Sequence, residues 1–543
     1  MGQGKSKSRK SARAVLAVTF AAGVLLSAVP AALRHDVAAA GITNLPPGFQ
    51  SQVVFSGLNA PTNFAFSPDG RVFVTEKRGV VKVFDGLDDP TPTIFANLQT
   101  EVMDYSDRGL LGLALAPNFP VDPYVYVSYS LDGPIGTPQN QLPVWHDTCN
   151  TPPGANTDGC VIGARVSRLR AGPNPTDDVM VGSEQVLLED WCQQFPSHSI
   201  GSVAFGSDGA LYVGGGEGAN FNSVDYGQYG GSLSGTPTPR NPCGDPPGTI
   251  GGPAMSPPTA QGGALRSQDL VTAGDPTSLD GSIIRVDPAT GAPLPDNPNA
   301  AASDVNARRI VAMGMRNPFR FTFRPGTTDL WIGDVGWGVW EEVDRHPDAR
   351  ASVKNFGWPC YEGTNPNGGY QPLGLALCDS LYNAPGAVTP PVYAYSHFEK
   401  TVPNDPADAC GGGGGVGIGS AISGISFYNG GSLPGPVGSY PSTYDGALFF
   451  SDYSRQCITV MLAGANGLPD PTKAQHFASG VGIAGAVALH AGPGGDIFWA
   501  DIGGGSINRI RYFPNNRPPQ AVLRSDATSG PLPLTVNFDA SDS

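Results

Sequence analysis

One unit recurs six times along this chain: a tight turn followed by a short strand rich in Val, Tyr, Phe and Trp. It reads SPDGRVFVTEK from Ser67, NFPVDPYVYVSYS from Asn118, GSDGALYVGGG from Gly206, RPGTTDLWIGDVG from Arg324, YDGALFFSDYS from Tyr444 and GPGGDIFWADIGGG from Gly492. β-Branched and aromatic residues suit a pleated, half-buried strand, while Gly, Pro, Asp and Asn supply the turns. Four units carry their own preceding strand: NFAFSP, LALAPN, SVAFGS and FRFTFRP. Two-strand units repeated along most of a chain predict radial repetition, here an all-β, six-bladed β-propeller with few exposed sheet edges. Two packed β-sandwiches would not repeat one turn-strand formula in this way. With 74 Gly and 53 Pro, long helices are disfavoured throughout. The spacing of the units is uneven, and three long insertions, 131–165, 217–280 and 358–424, are expected as decorated surface loops.

The two ends read differently. Residues 1–13 carry Lys5, Lys7, Arg9, Lys10 and Arg13 and no acid, an apolar run covers 14–33, and Ala38-Ala39-Ala40 follows. That order describes a signal peptide of residues 1–40, and therefore a secreted, extracellular protein. The eight cysteines, all beyond residue 40, then favour disulfides, and Cys149 with Cys160 and Cys360 with Cys378 are the pairs closest in sequence. Residues 1–40 hold six basic residues and one acid, so their removal moves the formal charge from −15 by five, to −20. Such a surface excludes nucleic acid and anionic lipid as partners, and any anionic cofactor would need locally placed arginines. After residue 511 a Pro-rich linker leads into strand-like runs, so residues 513–543 are expected to be a linker and an incomplete second domain following a propeller at 41–512.

Four segments in order carry a resemblance. They are DRGLLGLALAPNF at 107–119, HSIGSVAFGSDGALYVGGGEG at 198–218, GSIIRVDPATGAPLPDNP with GMRNPFRFTFRPGTTDLWIGDVGWGVWEEV, and NFGWPCYEG at 355–363. Together they resemble the glucose/sorbosone dehydrogenase family, the soluble aldose sugar dehydrogenases that use pyrroloquinoline quinone (PQQ). The resemblance implies hydride transfer from a sugar carbon to PQQ, with Ca²⁺ as a second cofactor and a sugar or polysaccharide as substrate. It assigns His198 as general base, from its spacing to Phe205, Asp208 and Gly209, and a near-neutral imidazole suits that role. It places Arg316 and Asn317 against the quinone, with Arg316 stabilising the oxyanion. It gives calcium the carbonyls of Gly336, Trp337 and Phe356 with the acids Glu341 and Glu342, hard oxygen donors suited to that ion; Trp337 stands where proline is common.

The chain also departs from the pattern. PQQ carries three carboxylates, and the family holds them with cations from the last two blades. Here Arg455 is one position off the expected lysine, Val487 stands where a basic residue is expected, and Asp107-Arg108 replaces an amide pair, leaving Arg108 to compensate. These departures set an alternative beside the enzyme: a carbohydrate- or protein-binding propeller that has lost the cofactor. PLPLTVNFDASDS, near the C-terminus, resembles the opening of a polycystic-kidney-disease (PKD) type immunoglobulin-like domain, which implies cell-surface or glycan attachment.

Overall fold

The computed structural model describes residues 42–148, 160–172, 179–228, 241–252, 255–272, 274–410, 419–428, 440–480 and 485–514, with two short paired strands, Arg524–Ser525 and Phe538–Asp539. The expected signal peptide, Cys149 and most of the expected PKD-type segment lie outside the described residues. Among the described residues no helix is long and apolar enough to cross a membrane.

Six sheets of four or five strands carry the fold. Blade 1 is Pro61–Phe66, Val72–Glu76, Val80–Phe84 and Thr93–Asn97. Blade 2 is Leu110–Leu115, Tyr124–Ser130, Ile162–Arg170 and Gln185–Gln193. Blade 3 is Ile200–Phe205, Leu211–Gly215, Ser282–Val286 and Ile310–Met313, extended by a parallel pairing to Lys354–Asn355. Blade 4 is Arg320–Phe323, Leu330–Asp334, Trp340–His346 and Tyr393–Ser396. Blade 5 is Ile422–Phe427, Leu448–Asp452, Cys457–Ala463 and Pro469–Gly480, edged by Ile42–Thr43. Blade 6 takes Ala486–Ala491, Ile497–Asp501 and Ser506–Tyr512 from the end of the chain, and its outer strand, Phe49–Phe55, from the beginning. That shared blade closes the ring, and the first strand of each blade packs against those of its neighbours around the axis.

Each of the six recurrent units falls at the turn between the first and second strands of a blade. The hydrophobic core lies between blades, where the alternating inward faces of adjacent sheets meet. Phe73 and Val83 of blade 1 pack on Leu113 and Val127 of blade 2, for example, and Trp331 and Val343 of blade 4 on Ile425 and Phe450 of blade 5.

The insertions are more structured than loops. Residues 358–424 contain the outer strand of blade 4 and a helix, Ala376–Tyr382. Residues 217–280 contain a 3-10 segment, Gly263–Val271, whose residues 263–269 are buried. Disulfides join Cys192 to Cys243 and Cys410 to Cys457, stapling two insertions to blades 2 and 5, and a third, Cys360 to Cys378, closes a loop within the last insertion.

Candidate active site

In an antiparallel hairpin, the start of the first strand and the end of the second lie at the same end of the sheet. Six such ends converge at one mouth of the central channel, around a cavity of about 410 Å³. Thr62 and Lys77 reach it from blade 1, Asp107 from the lead into blade 2, His198 from the start of blade 3, Asn317 from the start of blade 4, Tyr453 from blade 5 and Val487 from blade 6.

His198 is buried, and its backbone is in the left-handed region at φ 55°. The conformation is fixed by its own carbonyl, which accepts N–H from Gly218 at 3.1 Å and the side-chain amide of Gln193 at 3.3 Å. Gly216 must be glycine, because a Cβ there would lie 2.4 Å from that carbonyl oxygen. The His198 Nδ1 is 2.5 Å from Glu217 Oε1, and the other carboxylate oxygen accepts the indole N–H of Trp358. A carboxylate can only accept, so Nδ1 carries the proton and Nε2 is left as the acceptor. Burial, with the Arg316 charge nearby, holds the imidazole below its ordinary 6.5, while Glu217 pulls the other way. The neutral, proton-accepting form therefore prevails at neutral pH.

The second insertion supports this pair from outside. Arg266 bonds Asp245 and Asp280 at 3.0 Å and donates to the Glu217 carbonyl at 3.3 Å. The Cys192–Cys243 disulfide anchors that insertion one residue before Gln193.

Arg316 and Asn317 are held through their backbones. Asp334 accepts the N–H of Arg316 at 3.1 Å and that of Asn317 at 2.7 Å, and burial pushes its carboxyl up to about 7. The Arg316 guanidinium donates to the carbonyls of Val335 and Gly336 at 3.2 and 2.6 Å and lies 5.5 Å from the centroid of the Trp358 ring. The amide oxygen of Asn317, at the cavity, is buried and has no hydrogen-bond partner among the described residues. His198, Arg316 and Asn317 are thus close neighbours, but only His198 and Asn317 line the cavity; the Arg316 guanidinium is turned to the Val335 and Gly336 carbonyls.

The remaining sequence-assigned cations do not line the cavity. Arg108 is fully buried and donates to the carbonyls of Cys160, Gln194 and Phe195 at 2.8–3.1 Å. Arg455 donates to the carbonyls of Ser396 and Glu399 at 2.5 and 2.7 Å and to Ser420 Oγ at 2.7 Å. Both guanidinium groups tie loops to blades, and neither side chain lines the cavity. Among the described residues Lys77 is the one basic lining residue besides His198; its ammonium pairs with Asp104 at 2.5 Å, and Asp107 contributes a carboxylate. Arg320 lies beneath, donating to Val487, Thr62 and Phe319 carbonyls at 3.0, 2.8 and 3.2 Å, so its donors face the blades. A group with three carboxylates would find one ammonium and an opposing carboxylate, with Val487, Ile422 and Ile502 on the wall. Burying anionic groups without paired donors is costly. His198 and Asn317 reach the cavity, but the residues that line it do not fit the tricarboxylate of PQQ.

The assigned calcium set also separates. Successive strand residues point to opposite faces, so Glu341 and Glu342 cannot share an ion. Glu341 turns toward blade 5, accepting from His397 Nε2 at 2.7 Å and from the Ile422 N–H at 2.9 Å. Glu342 turns toward blade 3 and accepts the Gly363 N–H at 2.5 Å. The Gly336 carbonyl is met by Arg316, and Phe356 is buried in the interface of blades 3 and 4. Gly336, Trp337 and the residues after them form a tight loop around Glu362, whose Oε1 accepts the N–H groups of Trp337, Gly338, Val339 and Trp340 at 2.8–3.1 Å. On the Glu342 face, Asp344 is buried, and among the described residues neither of its carboxylate oxygens has a hydrogen-bond partner.

Sequence reasoning missed Glu217, although the signal was present. Ile200 pairs with Gly215 in blade 3, and continuing that register by two residues on each strand sets Glu217 opposite His198. Lys77, Asp334 and Trp358 were missed as well, and Asp107, noted only as replacing an amide, lines the cavity.

Comparison with known proteins bears on the fold and the family. Hedgehog-interacting protein of Mus musculus is 30% identical over 171 residues, 30% of this chain and 21% of that protein. Quinoprotein glucose dehydrogenase B of Acinetobacter calcoaceticus is 31% identical over 98 residues, 18% of this chain and 20% of that protein. The chain thus matches about a fifth of the length of each. The PQQ-bound aldose sugar dehydrogenase of Streptomyces coelicolor shares the fold, with a TM-score of 0.51 at 17% identity over 86% of this chain and 99% of its own. The profile of the glucose/sorbosone dehydrogenase family matches residues 58–247 and 262–398, more than half of the sequence. The chain belongs to the glucose/sorbosone dehydrogenase family.

Proposed function

We propose that this chain is an exported sugar oxidoreductase whose central cavity takes an aldose or related sugar. His198, backed by Glu217, accepts the proton of the hydroxyl on the carbon to be oxidised. The observation that supports this best is the His198–Glu217–Trp358 arrangement at the cavity: a neutral imidazole with Nδ1 committed and Nε2 left to accept. A site that only binds has no need of that arrangement. When an alcohol carbon is oxidised, the hydroxyl proton goes to a base while the hydrogen on carbon leaves with its electron pair to a two-electron acceptor. Asn317, at the cavity, with the neighbouring Arg316, would offer the donor and positive charge that such an acceptor needs as it gains electrons. A quinone is the acceptor class the family suggests, and the Streptomyces coelicolor relative is PQQ-bound.

The shortage of cations around the cavity favours a second reading, a carbohydrate- or protein-binding propeller without a cofactor. The similarity to hedgehog-interacting protein points the same way. On either reading the PKD-type segment within 513–543 would serve attachment to a cell surface or glycan.

Titration of the purified apo-protein with PQQ and Ca²⁺, followed by dye-linked oxidation of a panel of aldoses, separates the two. Oxidation that disappears in His198→Ala, with ligand binding retained, supports the enzyme. Sugar binding without oxidation by PQQ or by an uncharged quinone leaves the binding module.

A further inference from the structure

Residues 401–410, in the connection from blade 4 to blade 5, are tied to the outer half of blade 5. Cys410 is bridged to Cys457 at the start of the third strand, and Asp405 accepts the N–H of His476 in the fourth at 2.9 Å. These ties bring Asp408, Cys410 and His476 together, with a carboxylate oxygen, a sulfur and a ring nitrogen within 4.8 Å of one another. Among the described residues no other three side chains of Asp, Glu, His and Cys meet in this way.

All three side chains are buried, and their polar atoms converge on one point. His476 Nδ1 is 3.2 Å from Cys410 Sγ and 3.6 Å from Asp408 Oδ1. The carboxylate is aimed by the backbone: Oδ1 accepts the N–H of Cys410 and Oδ2 that of Val402, each at 2.7 Å. A proton relay would set sulfur and carboxylate on opposite ring nitrogens. Here both face Nδ1, while Nε2 is buried and has no hydrogen-bond partner among the described residues. The arrangement is that of ligands sharing a centre. Ligand atoms around a tetrahedral Zn²⁺ stand about 3.4–3.6 Å apart, close to both distances. The sulfur of Cys457, bonded to that of Cys410, is a fourth donor at the same place.

We propose that the dithiol form of this chain binds Zn²⁺ through Asp408, Cys410, Cys457 and His476, so that the ion and the disulfide are alternative closures of one loop. A dithiol reductant supplies the two electrons and two protons: its own S–H groups become a disulfide as the Cys410–Cys457 bond opens to two thiols. Zn²⁺ then displaces both thiol protons to water, because the thiolate is the ligand. Two thiolates and an imidazole select Zn²⁺ over a hard ion such as Ca²⁺. With the carboxylate they exceed the charge of the ion, and the Arg455 guanidinium, which donates to the Cys410 carbonyl at 3.5 Å, stands beside them to offset it. The ion holds the loop in place where the bridge has not formed.

The test uses the full chain and needs no turnover, so it stands apart from the oxidoreductase reading. In Cys457→Ser the bridge cannot form and Cys410 keeps a free thiol, with the other disulfides left in place. Titration with Co²⁺ and then Zn²⁺ should load one ion per chain, with a thiolate-to-cobalt charge-transfer band that Zn²⁺ removes and with Cys410 protected from alkylation. The wild type, its bridge closed, should give no such band. Adding His476→Ala to Cys457→Ser should lower the affinity about 10-fold or more, since losing even a hydrogen-bond partner of a ligand costs that much. No band in Cys457→Ser, or the same affinity without His476, overturns the assignment. Should Cys457→Ser fail to fold, the wild type reduced with a dithiol is compared with the Cys410→Ser, Cys457→Ser double variant treated alike. A further zinc ion per chain in the wild type supports the site, and equal zinc content in the two overturns it.

Discussion

In a Glu217→Gln variant, the carboxylate between His198 and Trp358 becomes a neutral amide of nearly the same shape. The native group takes Nδ1–H of His198 at 2.5 Å and the indole N–H of Trp358, both away from solvent. A hydrogen bond to a charged group is worth about 1.5–3 kcal/mol, and one pKa unit is about 1.4 kcal/mol. Losing the charge should therefore lower the His198 pKa by roughly one to two units, because burial and Arg316, which already depress it, are then opposed only by Asp107. The amide can also turn its NH₂ toward Nδ1, which moves the ring proton to Nε2 and removes the acceptor. The two effects together predict a fall in turnover of about 10²- to 10⁴-fold, with sugar binding little changed. The assay pairs an NMR titration of the His198 ring nitrogens with dye-linked oxidation kinetics. An unchanged or raised His198 midpoint, with turnover near that of the wild type, would refute the reasoning.

Three further outcomes follow from the same geometry. The rate should rise with pH only on the acid side of about 6.5 and stay level above neutrality, because the neutral imidazole is the active form and its pKa is lowered; a limb still rising above pH 7.5 would contradict a depressed His198. Glu362→Ala should cost about 2–4 kcal/mol and speed amide exchange at residues 337–340, which lose their common acceptor; unchanged exchange there would remove Glu362 from that role. Replacing Cys360 and Cys378 with serine opens a cross-link of 18-residue separation. It should cost about 3 kcal/mol in denaturant unfolding, and a midpoint unchanged from the wild type would show that the bridge restrains little.

Much of the propeller was legible because it is written in repeated local chemistry. The six turn-strand units could be read directly, since each pairs a turn signal with a run of β-branched or aromatic residues. The first strands of blades 5 and 6 were harder to read. ISGISF is separated from its partner by some twenty residues of insertion, and AVALHA is built from small residues and a histidine. The outer strand of blade 4, YAYS in sequence, was hidden inside a segment rich in turn residues. Phe49–Phe55 gave no local sign that it completes a blade begun more than 430 residues later, because closure is a property of the ring.

The site divides the same way. His198, Arg316 and Asn317 sit at strand starts, where position along the repeat determines which end of the channel a residue occupies. Arg108 and Arg455 are charged residues near the right turns, but a long side chain goes where unpaired carbonyls need donors. Those carbonyls belong to insertions and neighbouring loops that the linear pattern does not place. Strand alternation could have separated Glu341 from Glu342 in advance; sequence adjacency suggested a shared ion instead.

The central claim is that His198 is the proton acceptor for a sugar hydroxyl. The most direct measurement follows sugar oxidation and sugar binding in one preparation of Ca²⁺-loaded protein, with PQQ and an uncharged quinone each supplied as acceptor, for the wild type and His198→Ala. The account predicts oxidation of at least one aldose by the wild type. It also predicts a loss of about 10³-fold or more in His198→Ala, while sugar affinity stays close to that of the wild type. Oxidation by His198→Ala at the wild-type rate, or binding without oxidation under every condition, would contradict it.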